Sequence, residues 1–103
     1  METTEAAWLA GLVEGEGWLG STAIRIEMTD SDVVARAATL MQGSFTPRPR
    51  RGNNKLAYRA NVYGPQAVQV MSAIRPYMGE RRGHKIDLVL AQYFRVPVQD
   101  QLW

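Results

Sequence analysis

The sequence predicts an α+β domain in which helices alternate with pairs of short strands. Three observations lead there. Apolar residues recur at helical spacing in some segments and at strand spacing in others. Glycine, proline and asparagine fall between those segments. The chain has 103 residues, 46% of them hydrophobic, enough for one compact core and not two. The domain is expected to span 1–97, with 98–103 as a flexible tail.

The elements follow in order. Thr3 or Thr4 can cap a first helix running to about Glu14, which Gly15, Gly17 and Gly20 then end. Ala23 to Met28 alternates, with Ile24, Ile26 and Met28 on one side and Arg25 and Glu27 on the other, the mark of a half-buried strand. Asp30 or Ser31 caps a second helix, about Asp32 to Gln42, with Val33, Val34, Ala37, Leu40 and Met41 apolar and Gly43 closing it. Phe45 opens a strand, a turn lies at Gly52 to Asn54, and Leu56 to Tyr63 returns as its partner. Gly64-Pro65 starts a third helix that buries Val68, Met71 and Ile74 and ends at Pro76. A final helix, about Arg82 to Phe94, turns Ile86, Val89, Leu90 and Tyr93 inward. The chain thus reads as two helix–hairpin halves of similar pattern, plus further helices.

Composition excludes several classes. No apolar run reaches the length of a membrane span. The acidic start METTEAAW lacks the basic opening of a secretory signal, and there is no cysteine for a disulfide or thiolate site. An intracellular, cytoplasmic setting is expected, such as the nucleoid or a phage-infected cell. Net charge is only +2, but it is unevenly placed. Residues 33–79 hold no acid, and carry Arg36, Arg48, Arg50, Arg51, Lys55, Arg59 and Arg75. Five of these crowd one hairpin, which favours a polyanion partner over an ordinary solvated basic face.

The first helix carries an unusual stripe. Ala7, Gly11 and Gly15 recur every four residues and share one face. Glycine inside a helix costs about 1 kcal/mol relative to alanine, so Gly11 needs a reason, and close approach of a second helix is sufficient. Trp8, Leu9, Leu12 and Val13 add apolar surface beside the stripe. Glu14 and Glu16 follow at the helix C-terminus, where the macrodipole disfavours negative charge. Two readings stand at this point. The glutamates are solvated residues after a core helix; or two such helices pair, the Glu16 carboxylates approach, and a cation sits between them. Hard oxygen ligands on a wet surface suit Mg²⁺, which beside a phosphodiester activates water.

The segment as a whole, LAGLVEGEG from Leu9 to Gly17, resembles the signature of the LAGLIDADG homing endonucleases. Leu9, Ala10, Gly11, Leu12 and Gly17 match it identically; Val13, Glu14 and Glu16 match conservatively. The resemblance extends over about residues 4–95 and implies an αββαββα fold, here with a shortened first hairpin and an extra C-terminal helix. It implies a homodimer through the first helix, since only one signature is present, with Ala7, Trp8, Ala10, Gly11, Glu14 and Gly15 at the interface. It assigns the catalytic metal, Mg²⁺ with Mn²⁺ able to substitute, to Glu16 and the adjacent Gly15, and leaves Glu14 a structural role. The run GERRGHK resembles the basic loop before the last helix of such proteins, where a cation supports the phosphate. Arg82 is the first candidate, then Arg81 and Lys85; phosphate-only contacts or a solvated cluster are the alternatives. His84 is expected at the surface rather than as a general base.

The resemblance further implies that the sheet lies in the major groove of double-stranded DNA, which admits a two-stranded ribbon. Thr46, Arg48 and Arg50 share one face of the second hairpin with Arg59, Asn61 and Tyr63, opposite Phe45, Leu56, Tyr58, Ala60 and Val62. Arg51, Asn53, Asn54 and Lys55 at the turn can hold phosphates. Pro47 and Pro49 require an edge strand. The first hairpin is short: only WLGSTA separates Gly17 from Ala23's strand, leaving Trp18, Arg25 and Glu27, with Ser21 or Thr22, to face DNA. The function implied is a site-specific, metal-dependent endonuclease that cuts both strands of a pseudo-palindromic site. The alternative is a cleavage-inactive DNA-binding regulator or accessory protein of the same fold. An RNA-binding splicing helper is a third reading, for which no aromatic stacking pattern speaks.

Overall fold

A computed structural model describes residues 1–49 and 56–94. The DNA-contact candidates Arg50, Arg51, Asn53, Asn54 and Lys55, and the tail 98–103, lie outside the described residues. The elements run α1 (Thr3–Glu16), β1 (Gly17–Leu19), β2 (Ala23–Met28), α2 (Ser31–Met41), β3 (Ser44–Pro49), β4 (Leu56–Tyr63), α3 (Gly64–Ile74), a 3-10 turn (Arg75–Tyr77) and α4 (Glu80–Tyr93). The fold is α+β. The four strands form one antiparallel sheet in the order β1-β2-β4-β3. The two helix–hairpin halves join where β2 pairs with β4.

Alternation along the strands sends one set of side chains into the helices and leaves the other outside. Ile24, Ile26, Ala60 and Val62 meet Leu9, Val13, Val34, Met41, Met71, Ile74 and Ile86 in a single core. Each large side chain buried there contributes about 1.5–3 kcal/mol relative to exposure. Leu9 and Val13 of the signature point into this core, so the small residues Ala7, Gly11 and Gly15 of the same helix point out of it.

Several boundaries differ from expectation. Glu2, not Thr3 or Thr4, precedes the first turn of α1; its backbone N–H donates to Glu5 Oε1 at 3.0 Å, and the Thr4 hydroxyl donates to the Glu2 carboxylate. Gly15 does not end α1. The helix runs through Glu16 and leaves at Gly17 in extended conformation, where a Cβ would stand 2.8 Å from the Val13 backbone. Gln42, not Gly43, takes the left-handed position that ends α2, with φ 56°. Gly43 is required for a different reason: its N–H closes the helix end onto Ala38 O, and a Cβ there would lie 2.1 Å from the Asn61 carbonyl oxygen of β4.

α3 ends at Ile74 and passes into the 3-10 turn that holds Pro76. α4 begins at Glu80, so Arg81, Arg82 and Lys85 sit in its first turns rather than in a loop. Tyr93, expected inward, is exposed beside Phe94 at the helix end. The Arg75 guanidinium lies over Gly83, where a side chain would collide with it, and makes two hydrogen bonds to Asp87, at 2.7 and 2.9 Å. Among the described residues no helix is long and apolar enough to cross a membrane.

Candidate nucleic-acid interface and acidic helix end

The register assembles the outward face of the sheet in rows. Trp18 opposes Arg25, Arg25 opposes Asn61, and Asn61 opposes Ser44. In the next row Glu27, Arg59 and Thr46 stand side by side. Arg48 follows opposite Ala57. The register keeps the expected alternation of polar and apolar sides, but Phe45 and Leu56, expected on the core side of the second hairpin, are exposed. β3 is the edge strand its prolines require and is exposed throughout; Phe45 stacks on Tyr58, with ring centroids 5.6 Å apart.

These residues are not all free to face a ligand. Arg59 is paired with Glu27 at 2.8 Å, through the same carboxylate oxygen that its Nε reaches at 2.9 Å. Asn61 is buried, and its Oδ1 accepts from Arg25 Nε at 3.3 Å. It is therefore corrected from a base-facing residue to one that holds Arg25 in place. Arg25 also lies over the Trp18 ring, 4.8 Å from its centroid. Thr46, Arg48 and Trp18 are exposed.

The end of α1 meets the sheet at one edge. Glu16 is exposed and borders a recess of about 300 Å³ with Glu27, Met28, Thr29 and Asp30. Glu14 turns the other way: its Oε1 accepts the Gly79 N–H at 2.7 Å, tying α1 to the start of α4. Among the described residues no three His, Cys, Asp or Glu side chains gather as a metal cage. The last carbonyls of a helix lack intrahelical partners, and Gly15 contributes one of them beside Glu16.

On the far side of Gly17 lies a cleft of about 310 Å³ formed by Gly17, Trp18, Leu19, Arg81, Arg82 and Lys85. The three candidate cations are thus brought together. Arg82 Nη1 donates to the Gly17 carbonyl at 2.7 Å, while its Nε is buried without a partner among the described residues. Arg81, Lys85 and His84 are exposed on α4.

The small-residue face of α1 is open. A Cβ at Gly11 or at Gly15 would meet nothing within 4 Å, so nothing described in the protomer requires glycine at either position. Ala7 is exposed and Trp8 and Leu12 are half-buried at the margins, with Arg36 over the Trp8 ring at 4.1 Å. Ala10, expected at a subunit interface, is fully buried in the protomer's own core and is removed from that face. Sequence reasoning missed the Trp18–Arg25–Asn61 row and the place of Leu19 in the cleft. Both depend on strand register, which only the folded hairpins define.

No protein-family profile matches the sequence, and no curated protein matches it. Solved structures do. The homing endonuclease I-CvuI, in complex with its target in the presence of 2 mM Ca, superposes with a TM-score of 0.71 at 16% identity, over 95% of this chain and 71% of that one. The same endonuclease with the I-CreI target in 2 mM Mg, where the DNA is not cleaved, gives 0.63 at 18% identity, over 91% and 68%. The chain therefore has the LAGLIDADG homing-endonuclease fold, the one its signature segment implied.

Proposed function

We propose that this chain is a site-specific, metal-dependent DNA endonuclease that acts as a homodimer through α1. The observation that carries the reading is the open face of α1. Gly11, inside the helix at a cost of about 1 kcal/mol against alanine, and Gly15, in its last turn, face space that nothing described in the protomer fills, and Glu16 stands at the end of that face. A second α1 packed there gives the glycines their purpose and brings a second Glu16 alongside the first.

The residues fit a divalent metal. Mg²⁺ keeps several waters and takes one or two carboxylates plus phosphate oxygens rather than a full protein cage. One exposed Glu16 per protomer, with the Gly15 carbonyl, matches that demand. When bound, the ion supplies activation of water and stabilisation of the leaving oxygen. The chain's residues do the rest. Arg82 is oriented by the Gly17 carbonyl, one residue beyond Glu16, and brings its positive charge to the cleft where a phosphate would lie. Arg81 and Lys85 add positive charge at the same cleft. The outward face of the sheet, with Arg25, Thr46 and Arg48, lies along the groove. I-CvuI holds its target DNA with this fold, which supports double-stranded DNA as the partner.

One observation favours a second reading, a DNA-binding protein that does not cut. β1 has three residues, and only Trp18 of them is exposed. A short first hairpin reduces the contacts that anchor a cleavage-competent complex. Incubation of Mg²⁺-loaded protein with a randomised duplex library, with sequencing of cut ends, separates the two. Glu16-dependent cuts support the endonuclease; enrichment by binding without cuts supports the second reading.

A further inference from the structure

We propose that Arg25 is a guanine-reading residue of the sheet, held ready by Trp18 and Asn61, and that Arg59, its neighbour on the same face, is not one. This rests on the sheet being the DNA-contacting face.

The two arginines look equivalent in the sequence and differ in the fold. The Arg25 guanidinium lies over the Trp18 ring at 4.8 Å on one side, and its Nε donates to Asn61 Oδ1 at 3.3 Å on the other. The three residues form one row across β1, β2 and β4. Ring and amide fix the plane of the guanidinium, and both hold it without neutralising its charge. Its two terminal amino groups have no hydrogen-bond partner among the described residues. A planar fork with both ends free matches the O6 and N7 acceptors of guanine in the major groove. Fixing that fork before contact reduces the ordering cost of binding.

Arg59 has the opposite environment. Its Nε and Nη2 both reach Glu27 Oε1, at 2.9 and 2.8 Å. One edge of its fork is filled by a carboxylate and its charge is balanced. Guanine would have to displace that carboxylate, whose charge stays beside the base. Asn61 is not placed to read adenine, because that pairing needs both ends of the amide at the surface and Asn61 is buried with its Oδ1 toward Arg25. It acts as a positioning residue for Arg25.

The test is a binding selection on a randomised duplex library in metal-free buffer, with the native chain, Arg25→Lys and Arg59→Lys. Lysine keeps the charge and removes the fork. The native chain is expected to fix a guanine at one position of each half-site. Arg25→Lys should weaken that preference about ten- to a hundredfold, the discrimination of a bidentate arginine–guanine pair, and leave the preferences at the other positions unchanged. Arg59→Lys should leave that guanine in place. Asn61→Ala should reduce the same guanine preference without altering other positions; if that variant fails to melt cooperatively, Arg25→Lys decides alone. An enriched site that Arg25→Lys leaves unaltered, or a guanine lost only in Arg59→Lys, overturns this assignment and leaves DNA binding standing. No sequence enrichment by the native chain overturns the DNA-reading face and this assignment together.

Discussion

At the scale of single residues, glycines with the same name do opposite work. Gly17 and Gly43 are dictated from inside the protomer, by the Val13 backbone and by the Asn61 carbonyl oxygen. Gly43→Ala forces a Cβ to within 2.1 Å of that oxygen. It should cost stability by about 1–3 kcal/mol, the range of overpacking changes, read as a lower urea midpoint at unchanged slope. The Arg75–Asp87 pair makes a pH prediction. The hydrogen bond from Arg75 holds the Asp87 carboxyl below its ordinary 3.8, and the same bond raises the Arg75 guanidinium. A lowered folded-state value means the stabilisation is present above the ordinary carboxylate value and is lost as pH falls through the folded one. Asp87→Asn should therefore melt below the native chain at neutral pH, by a small margin because both groups are solvated, and the two melting curves should converge in strong acid. The signature residues were legible from sequence because they are local. The bonds Glu14–Gly79 and Arg82–Gly17 each span 65 residues, and no spacing rule reaches across such a loop.

At the scale of elements, α1 is the piece whose two faces tell different stories. Leu9, Ala10 and Val13 bury one side in the core, while Ala7, Gly11 and Gly15 leave the other open. Gly11→Leu meets no clash among the described residues of the protomer, since none of them lies within 4 Å of its added Cβ. It is expected to keep the fold and to block close approach of a second α1. Light scattering should then report a dimer for the native chain and half that mass for the variant; an unchanged mass would remove α1 as the pairing face. Element order and the inward and outward sides of β2 and β4 were readable from periodicity, because polar and apolar residues alternate along both strands; that Ala57 and Asn61 of the outward side of β4 are also buried was not. Ends were less readable. Gln42 takes the left-handed position that composition reserved for Gly43, because packing against β4 claims Gly43 first. Glu2 takes over at the start of α1 from Thr3 and Thr4 through its bond with Glu5, a pairing invisible to a search for hydroxyl caps.

At the scale of the whole molecule, the uneven charge along the chain is partly evened out by folding. The basic middle and the acidic first third meet in the sheet, where β2 lies beside β4 and Glu27 balances Arg59. Among the described residues, the cations without a carboxylate partner are Arg36 over the Trp8 ring and two groups nearer Glu16: Arg25 and Arg48 on the sheet, and Arg81, Arg82 and Lys85 at the cleft beyond Gly17. Glu16 stands between those two regions, at the margin of the open face of α1. The central claim is that this placement makes Glu16 a metal-holding catalytic residue of a paired molecule. The most direct measurement is cleavage of a randomised duplex library in Mg²⁺ by the native chain and by Glu16→Gln, with binding to the same library measured in parallel. The account predicts cuts at a recurring site by the native chain, none by Glu16→Gln, and binding by both. Equal cutting by the two proteins, or binding by both with no cut by either, would contradict it.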